Sequence, residues 1–76
     1  MKLTDKLKKI KNLNTDTLLN VTCVDDTVIV GYFREYISAM DNEPEIPQLD
    51  VYSETNHTLY GLLETEIKSI EIAKNK

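Results

Sequence analysis

Apolar residues recur at two different spacings, which divide the chain into a short helix and a longer β-rich region. Over residues 2–13, leucine and isoleucine return every three or four positions, so they share one stripe of a helix while lysines cover the rest. From residue 18 onward, apolar and polar residues alternate, which is typical of strands with one buried face. Five strands are predicted, at about residues 18–24, 27–37, 48–54, 58–63 and 68–73.

Turn-forming residues separate these strands. Asp25 and Asp26 stand between the first two, and residues 38–47 contain two prolines that prevent regular strand pairing there. Gly31 lies inside the long second strand, whose apolar residues occupy both faces, and a glycine at such a position often marks a bend. The pattern predicts a mainly β domain over residues 1–76: an N-terminal α-helix followed by a five-stranded, strongly bent antiparallel barrel.

An OB-fold barrel is the closest alternative architecture. That fold usually carries a helix between its third and fourth strands. The corresponding connection here, residues 54–57, is too short to form one. The SH3-like or Sm-like kind of barrel is therefore favoured.

The layout resembles that of the Sm/LSm-like superfamily. Residues 28–33, Val-Ile-Val-Gly-Tyr-Phe, resemble the hydrophobic core of its first motif, and residues 62–72, Leu-Leu-Glu-Thr-Glu-Ile-Lys-Ser-Ile-Glu-Ile, resemble its second. The resemblance implies a small bent barrel and assembly into rings by pairing the fourth strand of one subunit with the fifth of the next. Glu64 and Thr65 stand where the family has an Arg-Gly pair, so none of its RNA-contacting residues is carried over.

Size and strand edges favour self-assembly independently of that resemblance. A chain of 76 residues buries only about 60% of its unfolded surface when it folds alone. Short strands also leave edges that must be protected or will pair with another chain. The predicted oligomer edge consists of Leu59, Tyr60, Leu62, Ile70 and Ile72.

Charge is divided unevenly along the chain. Residues 1–13 hold five Lys and one Asp (+4), whereas residues 14–76 hold four basic and twelve acidic residues (−8), which together give the net charge of −4. This acidity disfavours general nucleic-acid binding, although the lysine-rich helix leaves RNA, a membrane surface or an acidic protein open as partners. Membrane is the weakest of these, because the helix has no Trp or Phe anchor.

Aromatic residues offer a second candidate surface. Alternation predicts that Tyr32, Tyr36, Tyr52 and Tyr60 line one sheet face, where tyrosines either pack or stack against a ligand. The candidate partner or RNA contacts are Lys8, Lys9, Lys11, Arg34, Tyr32 and Tyr36.

Residues suited to catalysis are scarce. Cys23 lies on the core side of the first strand and His57 at a hairpin tip, so a Cys–His pair is disfavoured. The acids at positions 41, 43 and 45 lack the remaining features of a calcium loop and are interpreted as solvated surface. We expect no catalytic site, no cofactor and no bound metal.

These patterns lead to one main hypothesis. It is a non-catalytic module that self-assembles through strand edges and binds protein; the alternative is a divergent Sm-like RNA-binding protein that uses the lysine helix or the tyrosine face. A cytoplasmic location is expected, because the single Cys cannot form an internal disulfide and no apolar run approaches the ~18 residues of a membrane span.

Overall fold

The computed structural model describes residues 2–73 and consists of one short helix and a five-stranded antiparallel sheet. The strand order is β4-β3-β2-β1-β5, so β4 and β5 form the two edges of an open sheet. The elements are α1 (Leu3–Lys8), β1 (Leu18–Cys23), β2 (Val28–Ile37), β3 (Gln48–Ser53), β4 (Thr58–Leu63) and β5 (Ile67–Ile72). The predicted mainly β fold with an N-terminal helix is confirmed, and each strand boundary lies within one residue of its predicted position.

The helix is shorter than the predicted range of residues 2–13. It ends at Lys8, and the next turn tightens, with the Ile10 N–H donating to the Leu7 carbonyl at 3.1 Å. Asn12 then adopts a left-handed conformation, with φ of 58°, so the chain beyond the helix turns away from a helical path within the predicted range. The apolar stripe still reaches the core, because Leu7 is buried and Ile10 packs against the core cluster.

A long-range hydrogen bond fixes the start of this helix. The Leu3 N–H, free at a helix N-terminus, donates to a carboxylate oxygen of Glu64 at 2.6 Å. Glu64 begins a 3₁₀ turn, Glu64–Glu66, that joins β4 to β5. The Leu3 side chain is fully buried, so the helix is held by both a polar and an apolar contact.

The β1–β2 turn follows from its two aspartates. The Thr27 N–H donates to the Asp25 carboxylate at 3.0 Å, and this backbone hydrogen bond lowers the pKa of Asp25 from its ordinary value. Asp26 takes a left-handed conformation, with φ of 71°, which aspartate tolerates better than most residues. The turn brings β2 back antiparallel to β1, with Val21 opposite Ile29.

Strand β2 changes its side-chain alternation halfway along. Its pairing with β3 shifts between Phe33 and Glu35, so Arg34 occupies a bulge. Gly31 lies just before this point, and a Cβ atom added there would stand 2.8 Å from the Tyr52 carbonyl oxygen. The bend predicted at Gly31 is therefore associated with a bulge and with close backbone approach between β2 and β3.

The core lies on one face of the sheet, beneath the helix. The buried residues alternate along β1 and β3, as the period-two pattern predicts. Fully buried aliphatic side chains come from the helix and both strands: Leu3, Leu19, Val21, Leu49 and Val51.

Candidate functional site

The hydrogen-bond pattern identifies which backbone groups of β4 face the free edge. The Glu64 N–H donates to the Pro47 carbonyl at 2.8 Å, which places residues 64, 62, 60 and 58 in hydrogen-bonded pairs with β3. The alternate residues Leu59, Gly61 and Leu63 therefore direct their N–H and C=O groups outward. The Leu63 N–H donates to the Glu66 carboxylate at 3.0 Å, so it is not available to another strand. The outward N–H groups that β4 offers for pairing are those of Leu59 and Gly61.

The same reasoning applies to β5 at the other edge. The Ala73 N–H donates to the Leu18 carbonyl at 2.9 Å, so Glu71 and Ser69 also fall in hydrogen-bonded pairs with β1. Ile70 and Ile72 consequently turn their backbone groups away from the sheet. Each edge thus has two successive outward positions suited to pairing with another strand.

The predicted oligomer edge is only partly composed of edge-facing residues. Leu59 is 58% exposed and Ile72 is 55% exposed, and both have outward backbone groups. Ile70 is half-buried and also outward-facing along its backbone. Tyr60 and Leu62 instead bond β3 through their backbones, and their side chains point to the core side.

The tyrosines do not share one sheet face, so that prediction is wrong. Tyr32 and Tyr52 are paired across β2 and β3 on the outer face of the sheet. Tyr36 and Tyr60 pack against the core on the opposite face. The bulge at Arg34 changes the side-chain alternation of β2 and thereby separates Tyr36 from Tyr32.

Tyr32 and Tyr52 form the floor of a groove on the outer face. The groove has a volume of about 480 Å³ and is bordered by Thr15, Asp16, Arg34 and Glu54. The Arg34 guanidinium lies over the Tyr52 ring, 5.1 Å from its centroid, in a cation–π contact. A second groove on the other side of Arg34 is lined by Tyr52 and Leu59, with Glu35 and Asp50 beside them. We call these adjoining grooves the outer-face groove.

The candidate lysines lie in a different part of the molecule. Lys8 and Lys9 are exposed at the end of the helix, and Lys11 is exposed in the turn that follows. Lys8 borders a small apolar depression formed by Leu7, Leu13, Phe33 and Tyr36, with Thr4 at its rim. The structure therefore places Arg34 and Tyr32 together at the outer-face groove, and Tyr36 beside Lys8 at the apolar depression. The candidate lysines and the candidate tyrosines do not form one common surface.

Cys23 has the environment of a core thiol. Its side chain belongs to the buried core cluster, and burial, with smaller contributions from Asp25 and Glu66, raises the pKa of the thiol. A raised pKa reduces the thiolate population that nucleophilic attack requires. His57 is exposed in the β3–β4 turn with φ of 52°, and residues 2–73 contain no hydrogen bond between His57 and Cys23.

Neither a metal-ion cluster nor a membrane-spanning helix is found within residues 2–73. No group of three or more His, Cys, Asp or Glu side chains in this range is arranged to hold a metal ion. None of its helices has both the length and the apolar character needed to cross a bilayer.

Several residues of these surfaces were missed by the sequence interpretation. Glu66 accepts the hydrogen bond of the outward Leu63 N–H, and Glu64 accepts that of the Leu3 N–H at the start of the helix. Asp16 and Glu54 border the outer-face groove. Asp16 had a local signal, since residues 14–17 form a tight turn in which the Asp16 N–H donates to the Asn14 side-chain oxygen at 2.7 Å. Glu64 has no comparable signal, because its partner, the Leu3 N–H, lies 61 positions away along the chain.

Comparisons with protein-family models, with curated proteins and with solved structures found no match for this chain.

Proposed function

We propose that the protein is a non-catalytic, Sm-like small-barrel module that self-assembles through its strand edges and binds protein partners in the cytoplasm. The observation that carries this proposal is the pair of free edges on one open sheet. On β4 the outward positions are Leu59 and Gly61, and on β5 they are Ile70 and Ile72. Pairing β4 of one copy with β5 of the next would satisfy both sets of backbone groups.

The side chains along the two edges are compatible with such pairing. Leu59 and Ile72 are more than half exposed, although both are large and apolar. The exposed edge of β4 also lacks the Lys or Pro residues that often prevent edge pairing. A strand from another copy would cover this apolar surface while it accepts and donates the edge hydrogen bonds.

Pairing between unlike edges makes a specific prediction about subunit arrangement. A contact of β4 with β5 is heterologous, so it continues from copy to copy until a ring closes. A contact of β4 with a second β4 is isologous and stops at a dimer. These two arrangements can be separated by blocking one edge at a time.

Proline substitutions can block each edge selectively. Leu59→Pro removes an outward N–H of β4, and Ile72→Pro removes one of β5; neither removes a hydrogen bond within the sheet. Tyr60→Pro is the matched control, because its N–H is bonded to β3 and the substitution should unfold the edge. Circular dichroism and thermal melting of all three variants establish which ones are folded.

The measurement is light scattering coupled to size-exclusion chromatography. The wild-type protein is expected to be a multimer, and each folded single-edge variant is expected to be a monomer of 8.7 kDa. An equimolar mixture of Leu59→Pro and Ile72→Pro retains one intact β4 and one intact β5, and should form a dimer of about 17 kDa, which is twice 8.7 kDa. A wild-type monomer, or a dimer formed by one variant alone, would contradict this arrangement.

RNA binding by the helix is the second candidate. The observation that favours it is the exposure of Lys8, Lys9 and Lys11, which follow one another along the end of α1 and the next turn. This candidate predicts a salt-dependent affinity for short single-stranded RNAs that is lost when all three lysines become Glu. Absence of binding at low salt would eliminate it, and it leaves the edge-pairing experiment unaffected.

A further inference from the structure

The outer-face groove already holds a cation on an aromatic ring. The Arg34 guanidinium lies over Tyr52 at 5.1 Å, and Arg34 is exposed at the bulge of β2. Within residues 2–73 the single ion pair joins Lys68 to Asp26, so Arg34 is not paired with a carboxylate in this part of the chain. The Tyr52 ring face is therefore the contact of this guanidinium, and a guanidinium can reach that face from the outer side of the sheet.

The charge around this ring is strongly unbalanced. Asp16 and Glu54 border the groove on one side of Arg34, and Glu35 and Asp50 border it on the other. Glu35 and Asp50 are also directly opposed across β2 and β3, an arrangement of like charges that is unfavourable without a nearby cation. Arg34 alone supplies one positive charge against four negative ones, so the groove attracts further cations and repels phosphate.

We propose that the outer-face groove binds an arginine side chain carried by an extended basic segment of a partner protein. The incoming guanidinium stacks on Tyr52 in place of Arg34, or beside it against Tyr32, and its charge is matched by Asp16 and Glu54. Arg34 acts as a displaceable occupant of the Tyr52 ring face in the free protein. This inference supplies the partner chemistry for the protein-binding part of the proposed function, and it does not depend on edge pairing.

The role given to Arg34 distinguishes this site from a nucleic-acid site. In the proposed site Arg34 competes with the ligand and repels it, so its removal strengthens binding. In a site for RNA or another anion, Arg34 would be the attracting charge, and its removal would weaken binding. The direction of the Arg34→Gln effect therefore decides between the two chemistries.

The test uses a capped peptide with three arginines separated by glycine and serine, titrated into ¹⁵N-labelled protein at low salt. Ile72→Pro, if it is the folded monomer described above, serves as the background, because Ile72 lies outside the groove and failure to assemble and failure to bind are then observed separately. We expect chemical-shift changes at residues 15, 16, 32, 52 and 54. Arg34→Gln should raise the affinity about twofold to tenfold, as expected for loss of one competing cation–π contact and one like charge.

Two further variants and one control complete the experiment. Asp16→Asn combined with Glu54→Gln, and separately Tyr52→Leu, should each lower the affinity about threefold or more. Glu43→Gln combined with Glu45→Gln removes the same charge from the 38–47 loop, outside the groove, and should change the affinity less than twofold. Each variant is first shown by its melting curve to be folded.

Three outcomes would overturn the inference. The first is an Arg34→Gln variant that binds the arginine peptide more weakly than its parent. The second is equal weakening by the groove pair and the loop pair, which would show that only net charge matters. The third is binding of a short RNA or of a glutamate-containing control peptide at residues 15, 16, 32, 52 and 54, with loss of that binding in Arg34→Gln.

Discussion

The inner face of the sheet and its two outer edges differ in how completely the chain satisfies them. On the inner face, Leu19, Leu49 and Val51 are fully buried in one cluster with the leucines of the helix, and within residues 2–73 no buried side-chain polar atom lacks a hydrogen-bond partner. At the edges, Leu59 and Ile72 remain more than half exposed beside outward-facing backbone groups. The buried contacts that stabilise the fold lie on the inner face, whereas the edges are the part of the sheet that remains available to another chain.

The largest effect should come from removing a side chain of the inner face. Leu49→Ala leaves a cavity in the core cluster and is expected to lower the free energy of unfolding by about 2–5 kcal/mol. Leu59→Ala makes the same chemical change at the exposed edge, and should alter the stability of the monomer by no more than about 0.5 kcal/mol. Urea denaturation in the Ile72→Pro monomer, in which Leu49 and Leu59 are both intact, measures both effects. Equal losses at the two positions would remove the distinction between face and edge.

The two glycines provide a second, smaller contrast. In Gly31→Ala the new methyl group would meet the Tyr52 backbone, 2.8 Å away, which cannot move without disturbing the β2–β3 pairing. In Gly61→Ala the nearest atom is 2.6 Å away but belongs to the end of the Gln48 side chain, which can rotate. We expect Gly31→Ala to cost about 1–3 kcal/mol and Gly61→Ala less than about 1 kcal/mol by denaturant unfolding. The reverse order would contradict the placement of Gly31 in the sheet interior.

A third prediction concerns the hydrogen bond that attaches the helix to the sheet. Glu64→Ala removes the acceptor of the Leu3 N–H, and should destabilise the protein by about 1–2 kcal/mol. Glu64→Gln retains an acceptor oxygen and should recover about half of that loss. Hydrogen exchange of the Leu3 amide provides the local readout, because exchange should accelerate in the alanine variant. An unchanged rate would show that the apolar stripe alone positions the helix.

The smallest effect should be the contribution of Cys23 to alkaline stability. The folded protein raises the pKa of this thiol, so it holds the proton more tightly than the unfolded chain does. Stability from this group is therefore present below the ordinary thiol pKa of 9.0 and is lost as pH rises through the higher folded value. Wild-type protein should lose stability more steeply above pH 9.0 than Cys23→Ala, measured by urea midpoints. Parallel curves would contradict the raised pKa.

Local patterns were sufficient to predict most of the sheet. Period-two alternation located β1 and β3, and the aspartates at positions 25 and 26 located the turn, because strand faces and tight turns are encoded by neighbouring residues. The bulge at Arg34 was not predicted, since it depends on how β2 meets β3. The grouping of the tyrosines failed for this reason.

The candidate surfaces were less predictable than the strands. The choice of Leu59, Ile70 and Ile72 followed from their apolar character, but their outward backbone direction depends on pairing with β3 and β1. The hydrogen bond between Leu3 and Glu64 joins residues 61 positions apart, so no local sequence pattern predicts it. The outer-face groove likewise combines the 14–17 turn with residues of β2 and β3.

Hydrogen exchange at the edge amides tests the central claim of edge pairing most directly. The amides of Gly61 and Ile72 face outward, whereas those of Tyr60 and Leu62 are bonded within the sheet. At high protein concentration all four amides should be protected from exchange. On dilution to the monomer, Gly61 and Ile72 should lose their protection while Tyr60 and Leu62 retain it. Fast exchange of Gly61 and Ile72 at every concentration would contradict edge pairing.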